Sequence, residues 1–178
     1  MPYAVTLRLD DSATKRVEEM WKLLARSGIS ESELASGYAP HITLAGCDET
    51  IVLTDLIEIA RNAAAGWQPF SVTLEVFKVF PGDFAVLWIA PAASDELFRR
   101  HAEVCAALPA SCLHPYFRPE NWVPHVTLAK DLKGSGAVET AIAAVSRKWE
   151  PFEARLERLD VIYFEPVRLL WQRVLRSN

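Results

Sequence analysis

The sequence predicts an α+β fold with an internal duplication. We expect a bilobal arrangement of two antiparallel-rich sheets, with helices on the outside and a central cleft on a pseudo-two-fold axis. Three observations predict this fold. Several segments alternate apolar and polar residues with period two, as half-buried strands do. Other segments carry apolar residues at helical spacing, and several segments of the first half recur in the second half.

The recurrence consists of matches at nearly equal offsets. Three pairs of segments match at offsets of 84, 82 and 81 residues: GYAPHITLAG (37–46) with NWVPHVTLAK (121–130), WQPF (67–70) with WEPF (149–152), and Ala4-Val5 with Ala85-Val86. Two copies this small would each bury little surface alone. We therefore expect residues 1–178 to form a single domain, whose lobes are the repeat halves of about 1–82 and 83–178.

In the first half, strands alternate with helices. Tyr3 to Leu9 alternates with period two, which predicts a half-buried strand. Asp11 or Ser12 then caps a segment with helical spacing that ends at Gly28, which predicts a helix. The segments that follow predict, in order, a polar loop at 30–37, a strand at 39–45, a helix at 52–65 and a strand at 70–80.

The second half repeats this order after a turn at Pro81-Gly82-Asp83. A strand is predicted at 84–90, and Ser94 caps the helix that follows it. The remaining segments predict a Pro-rich loop at 109–121, a strand at 122–129, a helix at 136–148, and strands at 152–164 and 167–175 around the turn Glu165-Pro166.

Composition excludes several classes of protein. Hydrophobic residues make up 51% and charged residues 24% of the 178, which argues against a disordered chain. The net charge of −4 argues against a partner that is long duplex nucleic acid, because duplex binders present a basic face. The sequence has no recognisable signal peptide or bilayer-spanning segment, and its three cysteines form no CxxC pair. We expect a cytoplasmic monomer with no membrane partner and with reduced cysteines.

The two copies of Pro-His-x-Thr-Leu are the segments best suited to chemistry. Side chains at i and i+2 of a strand share a face, so His41 should point with Thr43, and His125 with Thr127. Near two-fold symmetry would bring all four to one cleft. The pKa of histidine is about 6.5, so near neutral pH one imidazole can be neutral and act as a general base while the other is protonated and acts as a general acid. The hydroxyls would hold a phosphate between the rings without a metal.

Two other interpretations of these histidines are weaker. They could be buried side chains left by the duplication, but a threonine two residues after each one favours a site. They could bind a metal, but no carboxylate or cysteine shares their face nearby. His101 lies on the apolar stripe of a helix and is expected in a core or interface, and His114 lies in a loop.

The paired HxTL motifs resemble those of the two-histidine (2H) phosphoesterase superfamily, which includes 2',5' RNA ligase-like proteins and cyclic nucleotide phosphodiesterases. The resemblance implies a duplicated bilobal fold that opens or forms 2',3'-cyclic phosphates or 2',5' linkages with neither metal nor cofactor. By the same match, His41 and His125 take the acid and base roles, in an order left open. Thr43 and Thr127 take the phosphate-binding roles.

Departures from the family pattern, together with a few nearby side chains, bear on the substrate. Ligase-like members often have Arg where this chain has Lys130, and the first motif continues as Ala45-Gly46-Cys47. Lys130 offers phosphate a point charge without a bidentate fork. Tyr38 and Trp122, three residues before each histidine, either stack on a base or pack at a strand start.

The Pro-rich loop at 109–121 is long, and long loops are often functional lids. Tyr116 and Arg118, in the Pro-rich loop, either cover a ligand or face solvent.

The sequence therefore predicts a metal-independent phosphodiesterase whose partner is a small nucleotide or an RNA end. The expected reaction is hydrolysis of a 2',3'-cyclic phosphate or a related cyclic nucleotide. Two alternatives stay open: a 2',5' RNA ligase or 2',5'-phosphodiesterase acting on RNA ends, and a non-catalytic module that binds an AMP-like nucleotide.

Overall fold

The structure is a computed structural model that describes residues 2–147 and 149–176. Its strands are β1 (Tyr3–Leu9), β2 (His41–Cys47), β3 (Phe70–Phe80), β4 (Phe84–Pro91), β5 (Val126–Lys133), β6 (Phe152–Tyr163) and β7 (Arg168–Val174). Its α-helices are α1 (Asp11–Arg26), α2 (Ser32–Ser36), α3 (Leu53–Ala63), α4 (Asp95–Ala107) and α5 (Gly134–Ser146), and Pro115–Phe117 form a short 3₁₀ turn.

The strands form one antiparallel sheet in the order β2-β1-β6-β3-β4-β5, with β7 paired to β6. The sheet forks at β6, because residues 152–156 of this strand pair with β3 while residues 158–163 pair with β7. The predicted α+β class with antiparallel pairing is confirmed, and the two expected sheets are joined through β6 into a single hydrogen-bonded sheet.

The two halves use the same pairing pattern. β1 lies between β2 and β6, and β4 lies between β5 and β3. Thr6 of β1 is opposite Thr43 and Asp160, while Trp88 of β4 is opposite Thr127 and Lys78. The edge strands β2 and β5 also contact each other, so the sheet curves until its two ends meet. This curvature brings the two histidine motifs to the lining of one cavity.

The longer helices α1, α3, α4 and α5 enclose the core, whereas the short α2 borders the cavity through Glu33 and Ser36. α1 packs against α5, and α3 packs against α4. Apolar residues of α1 such as Val17 and Leu24 are fully buried, as are Leu7 and Leu9 of β1. Within residues 2–147 and 149–176, no helix is long and apolar enough to cross a membrane.

Most predicted elements are present with shifted ends. The cap of α1 is Asp10, whose carboxylate accepts from the amides of Ser12 and Ala13, rather than Asp11 or Ser12 themselves. Gly28 follows α1 with a φ of 65°, a conformation that glycine adopts at little cost.

Three segments differ more from expectation. The strand predicted at 122–129 starts only at Val126, since Pro124 has no amide to donate to a ladder. The predicted loop at 30–37 contains α2. The helix predicted at 136–148 is α5, and the part of that prediction at Lys148 lies outside the described residues.

Candidate active site

The four motif side chains line a single cavity between β2 and β5. The cavity has a volume of about 150 Å³, and its walls include His41, Thr43, His125 and Thr127. In each strand the alternate residues, such as Ile42 and Val126, are buried in the core. The period-two alternation of the two motifs therefore places both imidazoles and both hydroxyls toward the same space.

The two histidines are held in the same way. The Nδ1 atom of His41 lies 2.9 Å from the carbonyl oxygen of Ala39, and Nδ1 of His125 lies 2.7 Å from that of Val123. A carbonyl only accepts, so each Nδ1 carries the proton that it donates. This assignment leaves Nε2 of each ring as the atom that gains or loses a proton.

The prolines of the two motifs explain why these contacts recur. Each histidine follows a proline, which fixes its own φ and favours an extended conformation in the residue before it. That preceding residue supplies the carbonyl that accepts from the ring two positions later. The motif thus orients its histidine through local backbone geometry.

Burial shifts the titration of both rings in the same direction. It lowers the pKa of His41 to about 4, and the positive charges of Lys130, His125 and Arg8 oppose protonation further. Burial also lowers the pKa of His125, although the hydrogen bond to the Val123 carbonyl partly offsets this. Both rings are therefore neutral near pH 7, and an anion between them would favour protonation of one.

Two tryptophans fix the threonines through the backbone. The indole Nε1 of Trp122 donates to the carbonyl oxygen of Thr43 at 2.9 Å, and Nε1 of Trp21 donates to that of Thr127 at 3.0 Å. Each bond crosses between the halves of the chain, because Trp122 precedes β5 and Trp21 lies on α1. The strand that carries each threonine is thus held by a side chain of the other half.

Trp122 is not a wall of the cavity, so of its two predicted roles the structure favours packing over stacking on a base. Its side chain is 6% exposed, and its ring stacks on His101 with centroids 3.9 Å apart. His101 is buried as expected, and its Nε2 lies 2.9 Å from the Phe117 carbonyl oxygen. This packing occupies the indole face that a base would need.

Tyr38 does line the cavity, with its ring centroid 4.9 Å from that of His41. Its hydroxyl donates to Oδ2 of Asp160 at 2.7 Å and lies 2.7 Å from Oγ1 of Thr6. Asp160 is fully buried, and the nearest cation is Arg8, whose Nη1 is 3.8 Å from Oδ2. Burial and the neighbouring Asp160 raise the pKa of Tyr38, so the phenol stays protonated.

Lys130 also reaches the cavity, where it forms an ion pair that the sequence did not predict. Its Nζ lies 3.1 Å from Oε1 of Glu33 and 5.3 Å from the ring centroid of Phe164. Burial raises the pKa of Glu33, while Lys130 lowers it. Glu33 was missed because α2 was expected to be a loop, although its sequence Ser-Glu-Leu-Ala is compatible with a helix.

The Pro-rich loop contributes a different residue from the expected one. Tyr116 is 74% exposed and contacts the ring of His114, so it does not line the cavity, and Arg118 is exposed as well. The neighbouring Phe117 lines the cavity instead. The loop is joined to the end of β2 by the amide of His114, which donates to the Gly46 carbonyl oxygen at 2.8 Å.

Among the described residues, no group of three or more His, Cys, Asp or Glu side chains is arranged to hold a metal ion.

The family described as the 2'-5' RNA ligase superfamily matches residues 9–168. The chain belongs to the 2'-5' RNA ligase superfamily. The resemblance to two-histidine phosphoesterases, suggested by the HxTL motifs, is thereby confirmed.

Solved structures share the fold of this superfamily member over nearly its whole length. E. coli LigT complexed with 3'-AMP is 14% identical, with 99% of this chain and 98% of that chain covered and a TM-score of 0.66. TT0787 of Thermus thermophilus is 17% identical, with 100% of both chains covered and a TM-score of 0.65. Usb1 of Kluyveromyces marxianus is 14% identical, with 94% and 96% covered and a TM-score of 0.58. A search of curated protein sequences finds no match.

Proposed function

We propose that this chain is a metal-independent phosphodiesterase that hydrolyses the 2',3'-cyclic phosphate of a nucleotide or an RNA end. Superfamily membership supports phosphodiester chemistry in general. The observation that carries the finer proposal is the single cavity lined by His41 and His125 together with Thr43 and Thr127. In-line displacement at phosphorus needs a base and an acid on opposite sides, and two walls that each carry an imidazole can provide them.

The reaction uses the Nε2 atoms of the two rings. Nε2 of one histidine takes a proton from water while the water oxygen attacks phosphorus. Nε2–H of the other histidine gives its proton to the departing ribose oxygen as the P–O bond breaks, leaving a phosphomonoester. The hydroxyls of Thr43 and Thr127 donate to the non-bridging oxygens and hold phosphorus between the rings.

The lowered pKa of both histidines makes the charge state depend on the substrate. With both rings neutral, the acid must acquire its proton when the anionic phosphate arrives. Lys130 adds a positive charge at the wall of the same cavity, although Glu33 holds its Nζ. We therefore expect tight coupling between phosphate binding and protonation of one imidazole.

The ligands of a structural relative support a nucleotide substrate. LigT has been solved in complex with 3'-AMP, ATP, NADP+ and phosphate.

For this chain we propose a small nucleotide or RNA end as the partner, a monomeric state and a cytoplasmic location. We also propose a single duplicated domain over residues 1–178, supported by the matching strand pairing of its halves.

A second candidate is 2',5' RNA ligation or its reverse. The description of the superfamily favours it. The same pair of imidazoles would serve, with a ribose hydroxyl in place of water as the attacking group. The two activities differ only in the nucleophile, so the test must offer both.

The experiment measures product formation from a 2',3'-cyclic mononucleotide and from a 2',5'-linked dinucleotide, with and without EDTA. His41→Ala and His125→Ala should each slow hydrolysis by about 10²–10⁴-fold while far-UV circular dichroism stays unchanged. His114→Ala is the matched control, because this histidine lies in the Pro-rich loop outside the cavity.

Full activity in either cavity variant would overturn the proposal, as would activity that EDTA removes and zinc restores. Binding of AMP without turnover of any phosphodiester would instead identify a nucleotide-binding module.

A further inference from the structure

The cleft-facing sides of the two halves differ in exposure. In the first half, the residues on the same face as Thr43 are buried: Ala4, Thr6, Asp160 and Ile162. In the second half, the corresponding face of β3 and β4 is partly exposed: Trp88 and Ala90 are buried, at 3% and 7%, and the residues around them reach solvent. There Val76 is 44% exposed, Phe84 is 57% exposed and Lys78 is exposed as well. We call Val76, Lys78, Phe80, Phe84, Trp88 and the adjoining Lys133 the hairpin face.

The hairpin face is continuous with the candidate active site. The ring of Phe80 lies 5.1 Å from that of His125 and stacks on Trp88 at 4.7 Å. Trp88 is itself 5.6 Å from His125 and opposite Thr127 in the sheet. The indole Nε1 of Trp88 is buried and has no hydrogen-bond partner among the described residues. The rings of Trp88 and Phe80 thus extend from His125 toward the β3–β4 turn, and the indole N–H of Trp88 has no acceptor among the described residues.

Lysines accompany these rings. Nζ of Lys78 lies 5.9 Å from the centroid of Trp88, and Nζ of Lys133 lies 5.5 Å from that of Phe84. Aromatic side chains interleaved with cations are typical of surfaces that bind single-stranded nucleic acid, where bases stack and phosphates pair with the cations. The overall negative charge of the chain does not oppose this, because the two cations are local to the face.

We propose that the hairpin face binds unpaired bases of a single-stranded RNA whose terminal phosphate occupies the cavity. This inference rests on the proposed function and narrows its substrate to an RNA end rather than a mononucleotide. Phe84 and Trp88 are four residues apart on β4, a separation of about 13 Å. A base on Phe84 therefore belongs to a nucleotide farther along the strand than the one whose phosphate lies between the histidines.

Binding to an inactive variant tests the inference separately from turnover. The probe is a fluorescent six-nucleotide single-stranded RNA with a 3'-phosphate, and its anisotropy is followed with the His41→Ala protein. Adding Phe84→Ala should weaken binding about tenfold, since stacking on one aromatic ring contributes roughly that much. Val52→Ala is the control, because Val52 is 60% exposed just before α3 and does not line the cavity, so its loss should leave binding unchanged.

Charge and strandedness provide two further measurements. Lys78→Met and Lys133→Met should each reduce the slope of log affinity against log salt by about 0.7, as expected for a lost single-strand phosphate contact. A blunt duplex of the same sequence should compete poorly, because its bases are already stacked. In the otherwise wild-type protein, Phe84→Ala should reduce kcat/KM for a cyclic-phosphate hexanucleotide about tenfold more than for the cyclic mononucleotide.

The outcomes separate the two proposals. If the probe binds and Phe84→Ala weakens it, yet no cyclic phosphate is hydrolysed, the RNA surface stands and the proposed function fails. If the mononucleotide is hydrolysed but Phe84→Ala binds the probe as tightly as its parent, the inference is overturned and the proposed function stands. Equal competition by the duplex would overturn the inference. So would a Phe84-dependent dimer with no binding of RNA, which would identify a protein interface.

Discussion

The hydroxyl of Tyr38 offers a sharp test of how the wall beside His41 is supported. Tyr38→Phe removes the donor that lies 2.7 Å from Oδ2 of Asp160 while keeping the ring that packs on His41. Asp160 is fully buried, its Oδ1 atom already lacks a partner among the described residues, and Arg8 is 3.8 Å from Oδ2. The substitution therefore leaves a buried carboxylate with no short hydrogen bond from another described side chain.

The expected loss of stability follows from that geometry. A hydrogen bond to a charged group contributes about 1.5–3 kcal/mol, and its removal here leaves the acceptor unsatisfied. We expect the free energy of unfolding to fall by about 2–3 kcal/mol, which for a chain of this size lowers Tm by roughly 5–10 °C. Urea and thermal unfolding followed by circular dichroism measure both quantities.

Two comparisons make this prediction specific. Tyr116→Phe removes a hydroxyl from a ring that is 74% exposed, and it should change stability by less than about 0.5 kcal/mol. Because the ring of Tyr38 remains beside His41, kcat should fall far less in Tyr38→Phe than in His41→Ala. A Tyr38→Phe protein within about 0.5 kcal/mol of wild type would refute the reasoning, since it would mean that the Asp160 carboxylate does not depend on this donor.

Three further predictions follow from the same geometry. Burial lowers the pKa of His41 from 6.5 to about 4, so the folded protein binds this proton more weakly than the unfolded chain does. Stability should therefore decline as pH falls from about 6.5 toward 4, and urea titrations should show a shallower decline for His41→Ala; an unchanged decline would contradict the assignment. Thr43→Val should lower kcat/KM for a cyclic phosphate about 100-fold with little change in Tm, and equal kinetics would mean that the hydroxyl does not contact phosphate. Trp122→Phe should destabilise the protein by about 2 kcal/mol through loss of the bond to the Thr43 carbonyl and of ring packing, whereas an unchanged Tm would show that this bond contributes little.

Period-two patterns predict most strands and the shared face of His and Thr within each motif, whereas the meeting of the two motifs is predicted from the internal repeat. The strand predicted at 70–80 has those bounds in the structure, because its alternation is undisturbed by proline or glycine. The spacing of His41 and Thr43 predicts a shared face wherever the strand lies, so local geometry alone was informative. Both features depend on neighbours in sequence.

The parts that sequence could not predict depend on partners far along the chain. Tyr38 and Trp122 are equivalent by repeat, yet one borders the cavity and the other stacks on His101 of α4. Asp160 lies in an otherwise apolar stretch of β6, and its acceptance of a bond from Tyr38 could not be inferred from the surrounding residues. In the Pro-rich loop, the orientation of a single turn decides that Phe117 rather than Tyr116 reaches the cavity.

The crossed indole bonds have a consequence for the independence of the two halves. Trp21 supports a strand of the second half and Trp122 supports a strand of the first, so the hydrogen bond behind each threonine comes from the other half of the chain. A fragment cut at the β3–β4 turn would retain its motif but lose the indole behind its threonine. Two such fragments would have to reassociate before either threonine regained the indole bond to its carbonyl, so we expect neither fragment to be stable or active alone.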